Sequence, residues 1–440
     1  MRRAPFRKRR PDAALGVALL IGFAACAGPP SSRTAVGSDF DTDFAPARDR
    51  QTVRVALAFA QREVRFEATA PVVVRAAGGR IEEPAGLYRA TVEGERVVVF
   101  TPGGRALRAD RSLRMTSPAD VPWSVGGDRF TGTLVARRND DGTVSLINDL
   151  PIETYLRGVV PWEIGRPSED ALAAVEAQAI AARTYTYARL GRWDTLGFDV
   201  YADVRDQVYR GLTGTAEICD RAIETTRHRV AVRDGVLIRA YYSSTGGGHT
   251  STLVDVWTRD GAPYLVGRRD ADQRGRSWCA DSPHFRWTEV WSARELGDIV
   301  RETLPEELGL ALEAEDVGVL VDLEVLERDR SGRVKRLAIV TDVDRFELWG
   351  DRIRWVLRPV DSRYGILRST MFRVENVRRD GRLVGVVLRG GGFGHGVGLC
   401  QTGAIARARA GQDVDTILRA YYAGVEVADV RSLRGWELAR

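Results

Sequence analysis

The stretch YLRGVVPWEIGRPSEDALAAVEAQAIAARTYTY, residues 155–187, is the part of the sequence around which we interpret the rest of the chain. Ser168 precedes two acids, Glu169 and Asp170, which is typical of a helix start because the positive end of the helix dipole favours acids. Residues 171–190 are rich in alanine and lack glycine and proline, so they predict a helix. Small residues on one face of this helix indicate close packing against another element: Ala171, Val175, Ala179, Ala182 and Thr186.

A glutamate lies in the turn ahead of this helix, after the β-prone residues Gly158, Val159 and Val160. Glu163 is flanked by Trp162 and Ile164. A carboxylate beside apolar side chains resists ionising, which suits a general acid. The alternative is an exposed loop glutamate with no chemical role, and the spacing alone leaves both readings open.

The first 26 residues have the pattern of an export signal. Six basic residues precede an apolar run, residues 13–25, that is too short for a comfortable membrane span. Cys26 follows two alanines and ends a segment that resembles a bacterial lipobox. We therefore expect a signal peptide over residues 1–25 and an exported, envelope-located protein that is lipid-anchored at Cys26. Simple secretion and an uncleaved anchor are the alternatives.

The net charge of the chain comes from this signal. The six basic residues less Asp12 give the signal a charge of +5, which is the net charge of the whole chain. The remainder is therefore near neutral, and its net charge gives no support to nucleic-acid binding. We expect contact with a membrane only through the signal or the lipid anchor.

The rest of the chain divides into a linker and two larger parts. Residues 26–51 have a linker composition, residues 52–150 form a β-rich N-terminal lobe, and residues 151–430 form a mixed core. Six runs in the lobe predict strands: VRVALAF, VRFEA, VVVRA, YRATV, RVVVF and TVSLI. Residues 140–142 and 234–235 predict hairpin turns. Helices are predicted over residues 215–228, from about residue 404, and over residues 416–422. The fold class is α+β.

Two glycine-rich stretches are candidate binding loops. Residues 243–250, SSTGGGHT, follow a predicted strand, and glycine there lets the backbone approach a ligand. Residues 390–403 contain seven glycines. Two of them flank His395 and have no side chains that could cover its imidazole. The alternatives are a flexible surface loop and a structural turn with a hydrogen-bonded histidine. Four Trp residues between 257 and 291 could stack on sugars, or simply pack in a core.

Cysteine and histidine give only a weak metal signal. Three cysteines follow Cys26: Cys219, Cys279 and Cys400. An odd number excludes a complete disulfide framework and leaves room for one bridge. The chain has four histidines but no CxxC or HExxH spacing, so the residues themselves predict no cofactor.

Seven motifs, taken together and in order, resemble the SpoIID/LytB family, which includes stage II sporulation protein D and the amidase enhancer LytB. The resemblance covers roughly residues 52–425. The motifs read LINDLPIETYLRGVVPWEI, EDALAAVEAQAIAARTYTYA, DQVYRG, YYSSTGGGHT, SPHFRW, GFGHGVGLCQTGA and ILRAYYAGV.

The resemblance implies a protein that acts on peptidoglycan in a glycan-binding groove. Sporulation members look like lytic transglycosylases, whose catalytic acid corresponds to Glu163, whereas LytB members enhance a separate cell-wall amidase. Some sporulation members bind zinc through Cys and His near the glycine loop. Thr245 stands where many relatives have Cys, while Cys279 and His249 remain, so zinc is left open. A transglycosylase needs one acid that later acts as base, and a second carboxylate is optional. We expect the substrate to be held by Gln178, Arg183, Asp206, Gln207, Ser243, Ser244, Thr245, His249, His395 and Gln401.

The first prediction concerns Cys26. If residues 23–26 are a lipoprotein processing site, a fatty-acid probe fed to cells should label the wild-type protein and not Cys26→Ala. Labelling is followed by fluorescence of the purified protein in a gel. Equal labelling of both proteins, or of neither, would contradict a lipid anchor at Cys26.

Overall fold

The computed structural model describes residues 51–76, 79–118, 121–257, 261–360 and 365–433. The signal, Cys26 and most of the linker lie outside these residues. The fold is α+β, as predicted, with several separate sheets. None of the helices in the described part of the chain combines the length and apolar character needed to cross a bilayer.

The β-rich lobe consists of strands that precede the first helix. They are β1 Thr52–Gln61, β2 Glu63–Ala68, β3 Val72–Ala76, β4 Gly79–Glu83, β5 Gly86–Glu93, β6 Arg96–Phe100, β7 Ala106–Ala109, β8 Ser112–Thr116, β9 Trp123–Val125, β10 Asp128–Phe130, β11 Thr133–Arg138 and β12 Val144–Pro151. All six predicted runs are strands, and β11 and β12 are antiparallel neighbours joined through the predicted turn at residues 140–142. The additional strands are mostly short or polar, which explains why their alternation was not recognised.

The rest of the described chain alternates helices and short strands. The helices are α1 Ile152–Arg157, α2 Val160–Glu163, α3 Leu172–Tyr187, α4 Glu217–Thr225, α5 Leu253–Trp257, α6 Ala293–Leu308, α7 Arg352–Val356, α8 Gln401–Arg409 and α9 Val414–Tyr421. The strands are β13 Val200–Tyr201, β14 Arg229–Arg233, β15 Val236–Leu237, β16 Tyr242–Ser243, β17 Trp287–Ser292, β18 Leu320–Arg328, β19 Val334–Thr341, β20 Arg345–Trp349, β21 Phe372–Arg379, β22 Arg382–Gly390, β23 Leu399–Cys400 and β24 Glu426–Asp429.

The sheets connect distant parts of the sequence. One sheet has the strand order β13-β1-β12-β11-β8-β3-β4, so β1 of the lobe pairs in parallel with β13 of the core. A second lobe sheet has the order β10-β9-β2-β5-β6-β7. The two-stranded sheet of β16 and β23 is parallel and joins the two predicted glycine-rich loops. Its formation explains why these loops meet although about 150 residues separate them.

The long predicted helix is α3, and it lies at the centre of the core. Its side chains from Ala177 to Tyr187 are all buried, and α4, α8, α9 and β14 pack around it. The alanines of α3 allow this close approach of neighbouring elements, so the prediction from the small residues is confirmed. A short 3₁₀ turn, Glu169–Ala171, precedes α3. The Ser168 hydroxyl bonds Asp170 rather than a backbone N–H.

The β-prone residues ahead of Glu163 are not extended. Gly158 caps α1, and α2 begins at Val160. The reason is packing: a Cβ on Gly158 would lie 2.5 Å from the carbonyl oxygen of Gly211, so the chain must turn tightly against that segment. Tertiary packing therefore overrides the β propensity of valine here.

Three apolar clusters lie among the described residues, and two of them are large. The first contains the lobe strands together with α3, α4, α8 and α9. The second is built from buried residues between Trp287 and Leu388, including Trp291. In packing terms the lobe and the central helices share one core, and the 287–388 segment forms its own. Trp287 and Trp291 are therefore core residues rather than sugar platforms.

The second prediction concerns the glycine-rich loop around His395. Gly396 has a φ of +74°, and a Cβ there would lie 2.2 Å from Nη2 of the buried Arg333. Gly411 has a similar φ of +84° but open space around it. Gly411→Ala should cost about 1 kcal/mol of unfolding free energy from backbone strain. Gly396→Ala should cost about 3 kcal/mol, because overpacking adds to the same strain. Urea unfolding of both variants measures the difference, and equal costs would show that Arg333 moves aside freely.

Candidate functional site

Glu163 lies where three separate segments of the chain meet. It is the last residue of α2 and only partly exposed. Its Oε1 accepts a hydrogen bond of 3.0 Å from the backbone N–H of Val208, and its Oε2 accepts one of 3.4 Å from the side-chain amide of Gln401. Val208 follows β13, and Gln401 is the first residue of α8. The carboxyl group is thus held in place by the fold rather than by its own loop.

Burial decides the ionisation of this carboxyl group. It raises the pKa of Glu163 to about 7, while the hydrogen bonds from Val208 and Gln401 oppose this rise with smaller effects. Within the described part of the chain, no charged group contributes to this pKa shift. Near neutral pH the group is therefore present in both protonation states, so it can donate a proton and later accept one.

Two buried glutamines extend the site from Glu163. The Gln401 amide nitrogen also lies 3.4 Å from Oε1 of Gln178, whose side chain is fully buried on α3. The amide nitrogen of Gln178 has no hydrogen-bond partner within the described part of the chain. Leaving such a donor unpaired costs about 1–3 kcal/mol. This arrangement is consistent with a donor reserved for a ligand beside Glu163.

Tyr242 is a site residue that the sequence analysis missed. Its hydroxyl accepts a hydrogen bond of 2.7 Å from Gln207, and Gln207 Oε1 in turn accepts from Thr186 at 3.0 Å. Burial, with the nearby negative charge of Glu163, raises the pKa of Tyr242 well above its ordinary value. The phenol therefore stays neutral and keeps a proton to donate. The position of Tyr242 directly before the SSTGGGHT loop could have indicated this role. We interpreted that stretch only through its hydroxyl residues and glycines.

The hydroxyl residues of the first glycine loop contact the start of α8. The Thr402 hydroxyl donates to the carbonyl oxygen of Ser244 at 2.9 Å and lies 3.1 Å from the Thr245 hydroxyl. Thr245 is fully buried and also bonds Ser282 at 2.8 Å. Ser243 is buried, whereas Ser244 is partly exposed next to Gln401. Of the three hydroxyls, that of Ser244 is placed best to reach a ligand.

Three predicted substrate contacts are instead buried positioning residues. Arg183 is fully buried and pairs with Glu153 through two hydrogen bonds of 2.8 Å. Asp206 is 1% exposed and binds the guanidinium groups of Arg189 and Arg192. Gln207 is fully buried behind Tyr242. Each is paired within the protein, which corrects the expectation that they touch a substrate.

The two histidines of the glycine loops do not meet at Glu163. The His395 ring packs against Trp257 and Tyr241, with centroid distances of 4.8 and 6.1 Å, and its Nδ1 accepts from the N–H of Val397 at 3.1 Å. Burial lowers the pKa of His395 to about 4, so the ring is neutral. The ring is partly exposed and hydrogen-bonded within its own turn, which is the structural alternative that the sequence left open. His249 bonds its neighbour's carbonyl oxygen at 2.7 Å through Nδ1.

The glycine loop has a threonine and not a thiol at position 245. The Thr245 hydroxyl is committed to Ser282 and Thr402. A different set of metal-binding side chains does come together: Asp270, Cys279 and Cys400. The cysteines within the described residues are all buried and free of disulfides.

Two family models match separate parts of the chain. A family model described as stage II sporulation protein matches residues 140–232, which include Glu163, α3 and Val208. A model described as a domain of unknown function (DUF8618) matches residues 273–398, which enclose the second core.

Three relatives extend the similarity over most of the chain. An uncharacterized protein of Brachyspira hyodysenteriae is 30% identical over 311 residues, which cover 70% of this chain and 74% of that protein. The stage II sporulation protein D of Bacillus subtilis is 26% identical over 74% of this chain and 87% of that protein. The amidase enhancer of Bacillus subtilis is 28% identical over 61% of this chain, but the match spans only 39% of that longer protein. The chain therefore belongs to the SpoIID/LytB family.

Proposed function

We propose that the protein acts on the bacterial cell wall as a lytic transglycosylase, which cleaves peptidoglycan glycan strands with Glu163 as general acid and base. The observation that carries the proposal is the partly buried Glu163 carboxyl group, whose pKa is raised to about 7. Membership of a family that contains sporulation protein D and an amidase enhancer supports a cell-wall role.

A single acid is enough for this reaction. A hydrolase of glycosidic bonds normally uses two carboxyl groups about 5–9.5 Å apart, one of them acting as nucleophile or activating water. Burial is the largest cause of the raised pKa of Glu163, and the hydrogen bonds from Val208 and Gln401 oppose it. One acid with a pKa near the working pH suits transglycosylation, in which the same group donates a proton and then accepts one.

The proposed step conserves atoms and charge. Protonated Glu163 donates its proton to the glycosidic oxygen, the bond from that oxygen to the anomeric carbon breaks, and the leaving sugar departs as an alcohol. The resulting carboxylate then accepts the proton of the 6-hydroxyl of the same sugar ring, whose oxygen bonds the anomeric carbon. The product carries an intramolecular anhydro ring, and Glu163 is protonated again.

Neutral hydrogen-bonding groups surround the acid and suit a sugar ligand. The free amide nitrogen of Gln178 and the phenol of Tyr242 offer donors, and Ser244 offers an exposed hydroxyl. Gln207 fixes the phenol from behind. We assign these side chains to the sugar hydroxyls and Glu163 to the reacting oxygen. We also retain the proposal that the signal and Cys26 place the protein in the envelope, next to this substrate.

The alternative function is a non-catalytic, glycan-binding enhancer of a cell-wall amidase. Similarity to the Bacillus subtilis amidase enhancer favours it. This function would use the same groups around Glu163 to bind glycan but would survive loss of the acid. The amidase would then be the partner.

The third prediction tests the acid. Glu163→Gln keeps the shape and most hydrogen bonds but removes the transferable proton, so cleavage of peptide-free glycan strands should fall about 10²–10⁴-fold. Glycan binding should change little, and the wild-type product should have the mass of an anhydro sugar without added water. Glu95→Gln, in an exposed turn of the lobe, is the matched control. Full activity in Glu163→Gln would exclude the residue as acid. If neither protein cleaves glycan and both stimulate an amidase, the enhancer function is the correct one.

The fourth prediction concerns stability against pH. The folded protein raises the pKa of Glu163 from 4.5 to about 7, so ionising this group opposes folding. The cost is absent below about pH 4.5, grows as the pH rises to about 7, and is constant above, where it reaches at most about 3 kcal/mol.

Glu163→Gln removes this cost, because its amide stays neutral. The variant should therefore be more stable than wild type at pH 8, and the difference should shrink towards zero at pH 5. Urea unfolding at the two pH values measures it, with Glu95→Gln as control. A variant that is less stable than wild type at pH 8 would show that the ionised carboxylate is well solvated.

A further inference from the structure

A cluster of two thiols and a carboxylate lies buried behind the candidate site. One ligand atom each from Asp270, Cys279 and Cys400 lies within 4.8 Å of the other two. The two cysteines are fully buried and Asp270 is 1% exposed. They come from two segments: Asp270 and Cys279 lie in the long connection between α5 and β17, and Cys400 caps α8. No predicted site residue belongs to this cluster.

Backbone N–H groups point at both sulfur atoms. Sγ of Cys400 accepts from Gly246 at 3.1 Å and from Gly403 at 3.3 Å. The sulfur of Cys279 accepts from Gly247 and Gly248. Donors of this kind stabilise negative charge on sulfur, so they favour the thiolate form of each cysteine once it binds a metal.

The carboxylate is held in a fixed orientation at the same place. Asp270 Oδ1 accepts from Arg407 at 2.8 Å, and Oδ2 accepts from the Tyr421 hydroxyl at 3.0 Å. A carboxylate offers about four acceptor positions, so lone pairs remain for a further partner. Bonds of this type orient metal-binding carboxylates from behind.

The helix that carries Gln401 leaves space beside these groups. A Cβ on Gly403 would lie 2.3 Å from the Tyr421 hydroxyl, 2.6 Å from Oδ2 of Asp270 and 3.2 Å from Sγ of Cys400. Any larger residue at position 403 would therefore fill the space between the carboxylate and the sulfur. Glycine keeps it open.

We propose that Asp270, Cys279 and Cys400 bind one zinc ion. Two sulfur donors and one carboxylate oxygen are ligands that zinc prefers, and the chemistry of this donor set fits it better than magnesium or calcium. On binding, each cysteine loses its proton to solvent and its thiolate donates an electron pair to the metal. None of the three ligands lies in the glycine loop from which some relatives take theirs, so this chain assembles its site from other segments.

The zinc ion would tie the connection between α5 and β17 to the start of α8. Cys279 lies in that connection, whereas Cys400 precedes Gln401, whose amide contacts Glu163. A metal on Cys400 would therefore fix the start of α8 and, through it, the partner of the acid. The proposed zinc site does not rest on the transglycosylase function.

The fifth prediction is the metal content of the full chain, produced without a histidine tag. Elemental analysis after dialysis should find one zinc per chain, and cobalt should replace it with thiolate charge-transfer bands in the near ultraviolet. Cys279→Ser and Cys400→Ser should lose both signals, whereas Cys219→Ser, a buried cysteine outside the cluster, should keep them. Removal of zinc by a chelator should lower the melting temperature, and zinc addition should restore it.

The wild-type measurements stand even if a variant fails to fold. Alkylation of the unreduced, denatured chain followed by mass measurement counts its free thiols. The proposal is overturned if the wild type binds no zinc or cobalt while Cys279 and Cys400 are free thiols. It is equally overturned if these two cysteines are joined in a disulfide. Loss of glycan cleavage with zinc still bound would count against the proposed function and not against the metal site.

Discussion

The enclosure of α3 on nearly every side is the constraint on which the rest of the core depends. A helix that is buried on all sides has no solvent-exposed polar face. In α3, every residue from 177 to 187 is buried. Its small residues allow α4, α8 and α9 to approach, and its few polar side chains must find partners inside the protein. Arg183 does so with Glu153, and Thr186 does so with Gln207. The polar groups of the helix are therefore arranged as networks, and one of these networks ends at the candidate site.

The same packing produces the chemical character of Glu163. The carboxyl group is not surrounded by other charges, and its raised pKa comes from removal of water. The groups that bond it are the backbone amide of Val208 and the side-chain amide of Gln401, which donate hydrogen bonds without supplying a full positive charge. A buried acid with neutral donors resists ionising and is costly to the folded protein above pH 7. A reversible proton donor at neutral pH requires the same raised pKa that causes this cost. Stability and activity therefore oppose each other at this residue.

The glycine-rich loops serve the core rather than forming a flexible surface. Gly394, Gly396 and Gly398 all have positive φ, and a Cβ on each would meet a neighbouring segment at 2.7 Å or less. They allow β23 to lie beside β16, which places Cys400 and Gln401 at the start of α8. His395 belongs to this packing as well, through Trp257 and Tyr241. His395, which was prominent in the sequence, is thus a packing residue. The side chain that contacts Glu163 is that of Gln401, six residues later.

The sequence by itself determined the α+β class, the six lobe strands, the central helix and the identity of Glu163 as the residue to examine, because these depend on local periodicity and on motifs. It could not determine which polar residues face the site. Arg183, Asp206 and Gln207 lie near site motifs in sequence but are turned into buried networks, and Tyr242 gave no signal of its own. Only the tertiary structure decided that one core unites the lobe with the helices, and that Asp270, Cys279 and Cys400 share one pocket. The physical reason is that burial and long-range contacts, which set pKa values and bring ligands together, arise between segments up to 238 residues apart, such as Glu163 and Gln401.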